Sequence, residues 1–433
     1  MASTLSLLQT GSHELGTLAA YVDDKGLVDG HYYSDKAPLP SWLLVAPLWI
    51  VEKISPAESL EHRFKRSLAI GGFLFASIPL AVFGLWLLRD GFSLAATVIV
   101  LCGTFLWIYA GTFFGHVFAG MLIVAAHRLA FRRRQPLVAG LFLGAAFLSE
   151  FPTGLALPAF VLAMLGAPRG MEMRARFSWP HMRPVLSLVA GFTLVAGLIL
   201  PYNAAITGHP FTMVYSYAAD PTFAAMRTSL GFGQSAIPHA MFGLLFSPAR
   251  ALFVYAPICG LVFIRGRSWM RRLRAHTAVP AGAVFFIASL CLFSSYFMWT
   301  GGWAYGPRHL IPAVMLAIAE IAPLAADDER LVRPWMRRGV LLVAGILGIG
   351  PAFAAKVTVQ YYVPDVFASP LTEVIWPLFR DGRWNDKGLT SILFGWSPVA
   401  SAACFVTFAI GGGVAIWLVT TRRDRLVARP TDN

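Results

Sequence analysis

From Ser67 to the C-terminus the chain is a succession of apolar runs of near bilayer-spanning length, each closed by a short polar or basic connector. In a hydrocarbon solvent every backbone polar group must be satisfied within the protein. Runs of about 17–25 apolar residues therefore persist there as helices. This pattern points to an all-α polytopic integral membrane protein with extracytoplasmic loops. Fifty-seven per cent of the residues are hydrophobic and only 13% are charged, far from the balance of a soluble domain. About eleven transmembrane helices are expected, over 67–88, 93–112, 114–131, 136–150, 152–167, 184–201, 249–264, 277–298, 309–325, 339–357 and 399–420. Several are short, and the pairs meeting near Phe113 and Phe151 read as tilted or broken helices.

A formal charge of +13 could suggest nucleic acid, but no recognition motif accompanies it, so no nucleic-acid partner is expected. In a membrane protein excess Lys and Arg mark cytoplasmic connectors. The clusters at Arg132–Arg134, Arg169–Arg183, Arg265–Arg274, Arg330–Arg338 and Arg422–Arg429 fall on one side of the expected spans. The other side receives Tyr109–His116, Ser149-Glu150, Pro201–Arg250, Trp299–His309 and Thr358–Pro398, rich in Gly, Pro, Trp and Tyr. The elaborate surface thus faces outward from the cell inner (plasma) membrane. The four cysteines each lie in an apolar run without metal spacing and read as small buried hydrophobes.

This orientation places residues 1–66 outside. The piece Ala37–Ile50 is short and carries Pro38, Pro40 and Pro47, which suits an interfacial or re-entrant segment better than a span. A first transmembrane helix is therefore expected to be missing from this sequence, through a late start or truncation. In the alternative, Ala37–Ile50 spans and residues 1–36 are cytoplasmic, which strands His62–Arg66 outside. The expected organisation is an extracytoplasmic first loop (1–66), a transmembrane catalytic core (67–325) and a C-terminal transmembrane region (326–433) with an outer loop at 358–398.

Polar residues concentrate in that first loop. Asp23, Asp24, Asp29 and Asp35 lie within thirteen residues of one another. Such carboxylates can act as general base toward a hydroxyl or hold a divalent cation. Asp29-Gly30 also reads as a turn. Lys36 and His31 add donors able to meet a phosphate, with Tyr33 beside them. Arg250 and Arg308 stand at outer helix mouths, against the positive-inside bias, and suit bidentate capture of a phosphate. Snorkelling to headgroups is the simpler role for both. Glycines and aromatics around Arg308, Trp303 among them, favour close backbone approach and a ring platform. Glu150, at the edge of an apolar helix pair, is a functional candidate by position. His116 and Asn203 read as packing or capping residues, and Trp376, Trp384 and Trp396 as an interfacial belt.

Four strings together resemble bacterial GT-C membrane glycosyltransferases of the dolichyl-phosphate-mannose mannosyltransferase-like group. They are Gly30–Pro38, Tyr202-Asn203 with Gly208–Phe211, Gly243–Pro248 with Arg250, and Gly301–Trp303 with Gly306–Arg308. The resemblance implies sugar transfer on the outer face, with inversion, from a polyprenyl-phosphate-linked donor. The acceptor is expected to be an envelope glycan, lipid or protein. It further implies an acidic base in the first outer loop, a part open to Asp24, Asp35 or Asp23. Asp24 ranks above Asp35, which adjoins Lys36. Lys36, Arg250 and Arg308 are then expected at the donor phosphate, and His31, Tyr33, Glu150 and Trp303 at the substrate. No cofactor is demanded, although a divalent cation is compatible with the acids. Two rival classes remain: a flippase for lipid-linked sugars, for which His127 and Glu320 are the ionisable candidates, and a non-catalytic envelope subunit. Under the outward orientation, a cysteine at Ser34 should react with an impermeant thiol reagent in intact cells, and one at Thr431 should be protected. Equal protection of both overturns the scheme.

Overall fold

Glycines set how closely the apolar helices of this protein lie. The computed structural model describes residues 1–166, 178–223, 225–276, 279–331, 333–385, 391, 394–404 and 407. Four helical stretches among them are long and apolar enough to cross a membrane: Leu60–Arg89, Trp179–Thr207, Arg308–Ala325 and Arg338–Val357. Shorter apolar helices run over Pro136–Ser149, Phe151–Leu165, Ile237–Phe246 and Ala281–Ser294. The protein is a largely helical membrane protein.

Several expected spans are broken rather than continuous. The stretch 93–112 becomes two helices, Leu94–Cys102 and Phe105–Tyr109. They part at Gly103 because a backbone passes there: a Cβ on Gly348 would lie 2.3 Å from the Gly103 carbonyl oxygen. Thr104 then caps the second piece, accepting from Leu106 N at 3.2 Å. The stretch 249–264 is interrupted at Ala256-Pro257 before the helix Leu261–His276 begins. Ala37–Ile50, read as a short interfacial piece, is the core of a 16-residue helix, Leu39–Ile54, that accommodates Pro47. Leu44 and Leu48 of this helix pack with Leu5 and Phe75. Of the expected last span only residues 399–404 and 407 are described. The basic residues at 169–177 and 422–429, and Thr431, lie outside the described residues.

The tightest helix pair is Pro136–Ser149 against Trp179–Ala196. A Cβ on Gly140 would sit 2.1 Å from the Leu188 carbonyl oxygen, and one on Gly191 would sit 2.2 Å from that of Leu137. Backbone therefore rests on backbone, the arrangement small residues permit where no hydrophobic effect drives helices together. The same device fixes the neighbouring helix Gly115–His127, whose first residue would place a Cβ 2.1 Å from the Ser149 carbonyl oxygen. His116 and Glu150 are thereby brought side by side. Near the far end of that helix, His127 Nε2 stands 3.6 Å from Glu320 Oε1. Glu320 Oε2 accepts from the Gly282 N–H at 2.9 Å, at the start of the helix Ala281–Ser294.

One element departs from the all-helical expectation. Lys25–Val28 (β1) and His31–Ser34 (β2) pair antiparallel, with Val28 opposite His31. Asp29 (φ 49°) and Gly30 (φ 84°) make the left-handed two-residue turn between them. This is the hairpin turn that an Asp-Gly pair favours. β1 docks on the short turn Val214–Tyr217: Ala219 N donates to the Lys25 carbonyl at 2.9 Å. Gly26 is required at that contact, because its Cβ would meet Val214 Cγ1 at 2.6 Å and Val214 O at 2.7 Å. The hairpin thus delivers Asp35 and Lys36 against a loop far along the chain. Gly191→Leu should collide with the Leu137 backbone and lower stability by about 1–3 kcal/mol, the usual penalty for overpacking. Thermal unfolding in detergent checks this, and an unchanged midpoint would mean the two helices are not in backbone contact.

Candidate functional site

Asp35 follows directly on β2 and turns into the protein, where its side chain is 1% exposed. It helps line a narrow cleft with Lys36, Phe151, Tyr202, Asn203, Val214 and Tyr215. Lys36 Nζ stands 3.3 Å from Asp35 Oδ1 and 3.3 Å from Asp24 Oδ1. It also lies 5.6 Å from the centroid of the Tyr215 ring. Within the protein no hydrogen bond reaches Asp35 Oδ1, so the ion pair with Lys36 is its polar support. Burial disfavours the ionised carboxyl. Lys36 pulls the other way and Asp24 adds to the push, and the outcome is a pKa raised to about 6. Asp24, by contrast, is 47% exposed and sits at the rim.

A second set of polar groups comes from the helix pair described above. His116 Nδ1 is 3.2 Å from Glu150 Oε2. Lys36 and Arg308 are both near enough to act on the Glu150 charge, and each acts on the other. The hairpin, the Gly115 helix and the Arg308 turn therefore bring these charges within interaction range of one another. Phe114 supplies a ring 5.3 Å beneath the Arg308 guanidinium. Tyr361 meets the same Phe114 ring edge-on at 5.0 Å. Arg308 makes no ion pair and no side-chain hydrogen bond among the described residues, and its Nε is buried without a partner. It is an available cation.

The loop that carries Arg308 depends on glycine. Gly301 (φ 79°) and Gly302 (φ 60°) both occupy the left-handed region, which side chains other than glycine rarely adopt. A Cβ on Gly301 would press on Arg308 Cγ at 3.3 Å. Trp303, expected at the substrate, is exposed and meets the Tyr362 ring edge-on at 4.1 Å.

Arg250 departs most from its expected place. It is fully buried. Its Nε donates to Thr300 O at 3.0 Å and Nη1 to Ala249 O at 2.8 Å, while Nη2 donates to Gly302 O at 3.0 Å and Val363 O at 3.2 Å. With its donors spent on backbone carbonyls, it holds loops together instead of presenting a free fork to a phosphate. Asp23 makes no side-chain ion pair or hydrogen bond among the described residues and is exposed. His31 is at the hairpin tip, its Nδ1 2.8 Å from Glu14 Oε1, and Tyr33 packs with the apolar cluster around Val28 and Tyr202. Asp24, Asp35, Lys36, Glu150 and Arg308 thus come together, and Asp23, His31 and Arg250 do not join them.

Sequence reasoning missed Tyr215 and the pairing of His116 with Glu150. Tyr215 lies in Val214–Tyr217, an aromatic break in a polar loop, but nothing local ties it to residue 36. Among the described residues no group of three or more His, Cys, Asp or Glu side chains is placed to hold a metal ion.

The raised pKa of Asp35 has a stability consequence. Because the folded state holds this proton more tightly than the unfolded chain, stability falls as pH rises from about 4 to about 6 and is level above that. Asp35→Asn should therefore stabilise the protein at pH 7–8, by on the order of 1–3 kcal/mol, with the gain vanishing toward pH 4. Thermal melts across that range check it; a pH-independent difference would contradict the burial of a charge there.

No family model matches the chain, and no curated protein matches it. Among solved structures it is similar to ArnT from Cupriavidus metallidurans bound to undecaprenyl phosphate. The identity there is 14% and the TM-score 0.48, over 95% of this chain and 70% of that one. It is also similar to the apo state of the same protein, at 15% identity and a TM-score of 0.46, over 94% of this chain and 70% of that one.

Proposed function

We propose that the protein is a membrane glycosyltransferase that moves a sugar from a polyprenyl-phosphate carrier to a hydroxyl of an envelope acceptor at the outer face. The observation that carries this reading is the pairing, in a helical membrane protein, of a buried carboxyl whose pKa is raised to about 6 with Lys36, within interaction range of an unpaired Arg308. A lipid-phosphate leaving group gains negative charge as the glycosidic bond breaks. Two cations held in a partly dry site stabilise that charge far better than water does. The attacking hydroxyl must lose its proton, and a carboxylate with a pKa near the working pH is the efficient acceptor. Asp35 meets that requirement, so it is the base in this reading. Asp24 sits at the rim and helps hold Lys36. Glu150, kept beside His116 and within range of the Lys36 and Arg308 charges, contacts the sugar or acceptor. Trp303 lies where it can guide the acceptor. In this scheme the Asp35 cleft opens outward from the inner membrane, among about eleven spans.

The test uses purified protein with polyprenyl-phosphate sugars and an envelope extract. The value of kcat/KM should climb with pH and level off above about 6, as Asp35 loses its proton. Asp35→Asn should cut transfer by roughly 10²–10⁴-fold without weakening donor binding. Asp24→Asn should retain most activity. Lys36→Ala and Arg308→Ala should each weaken donor binding about ten- to a hundredfold, the loss of one charge-assisted contact. Full transfer by Asp35→Asn removes it as the base. Movement of lipid-linked sugar across liposomes without any transfer replaces the enzyme by a flippase.

A further inference from the structure

At the end of the bundle away from the Asp35 cleft, four arginines line one cavity and two of them share an acid. The helix that begins beside Glu150 runs from Gly115 to His127 and continues through a π turn, Arg128–Arg132. At 1.5 Å per residue this places Arg132 roughly 24 Å from His116 along the helix. There a cavity of about 360 Å³ is lined by Arg89, Arg128, Arg132 and Arg133, with Trp86, Leu129 and Phe142 as its apolar walls.

The cavity is organised. Asp90, whose side chain is 5% exposed, accepts from Arg128 Nη1 at 2.7 Å and from Arg132 Nη2 at 2.9 Å. Four apart on one helical face, both residues reach one carboxylate, and the π turn that carries them is a feature frequent at functional sites. Arg128 is further fixed over the Trp86 ring, 4.9 Å from its centroid. One acid neutralises one of these four cations and leaves an excess of three. Arg89 and Arg133 make no ion pair and no side-chain hydrogen bond among the described residues, and both are exposed at the cavity mouth.

A ligand for this site needs a phosphate-like anion and an apolar tail. The arginine forks match phosphate oxygens, and the Leu129, Phe142 and Trp86 walls match methylenes. Basic pockets between membrane helices hold lipid headgroups by this combination. We infer that the cavity binds the headgroup of an anionic glycerophospholipid, with its phosphate between Arg89 and Arg133 and its acyl chain along Leu129 and Phe142. This site is separate from the Asp35 cleft and does not rest on the proposed transfer reaction.

Native mass spectrometry of the full chain in detergent, titrated with phosphatidylglycerol or phosphatidylcholine, tests it. Phosphatidylglycerol should be retained at least about tenfold more tightly than phosphatidylcholine, and Arg89→Ala/Arg133→Ala should remove the difference, a loss of about ten- to a hundredfold. The two single variants carry the same test should the double variant fail to fold. Equal retention by the native protein and the folded variants overturns the inference and leaves ordinary interfacial arginines. Displacement of phosphatidylglycerol by millimolar inorganic phosphate as completely as by excess lipid also overturns it, since the cavity then recognises a free anion.

Discussion

A single guanidinium, buried without any carboxylate partner, holds the loops above the helices in place. Arg250 draws together its own turn, the 300–302 backbone and Val363 through four carbonyl bonds. An isolated buried charge is costly, so this arrangement persists only because oriented carbonyl dipoles surround it. The 301–308 loop contains three left-handed glycines, Gly301, Gly302 and Gly306. Arg308 is therefore displayed at the cleft by the grip of Arg250 on the backbone beneath it.

The cleft balances charge in a complementary way. Asp35 is buried where ionisation is unfavourable, and Lys36 beside it compensates in part. Asp24 shares the same ammonium from the rim. A phosphate arriving at Lys36 and Arg308 would compete with both aspartates for the lysine. Anion binding at Lys36 and the proton affinity of Asp35 would accordingly be linked, each changing the other by the same free energy. The apolar helices lend His116, Tyr202 and Asn203 to this region and hold position through glycine contacts at Gly115, Gly140 and Gly191.

The sequence carried the helical membrane character openly, because long apolar runs admit few other structures. It also carried the Asp29-Gly30 turn and the crowding of acids next to Lys36. Its local signals failed where distant segments decide the outcome. Arg250 looked like a phosphate ligand from its place at a helix mouth, but its partners lie 50 and 113 positions away. The difference in burial between Asp24 and Asp35 was equally hidden, because Tyr202, Asn203 and Tyr215, which line the cleft around Asp35, lie far along the chain. The breaks at Gly103 and Ala256 were hidden because composition stays apolar across them, and a neighbouring backbone produces the first.

The docking of β1 against residues 214–219 also dictates an order of events in time. A hairpin of this size closes within about 1–10 μs once its eight strand residues are free. The backbone it pairs with through Lys25 and Ala219 is about 190 residues further along. At a synthesis rate of about 5–20 residues per second, that partner emerges some 10–40 s later. Throughout that interval the outer edge of β1, with Gly26 at its centre, is an open strand edge of the kind that recruits other chains. The nascent protein therefore carries Asp24 and Asp35 at the ends of a finished hairpin well before the residue 214–219 backbone arrives.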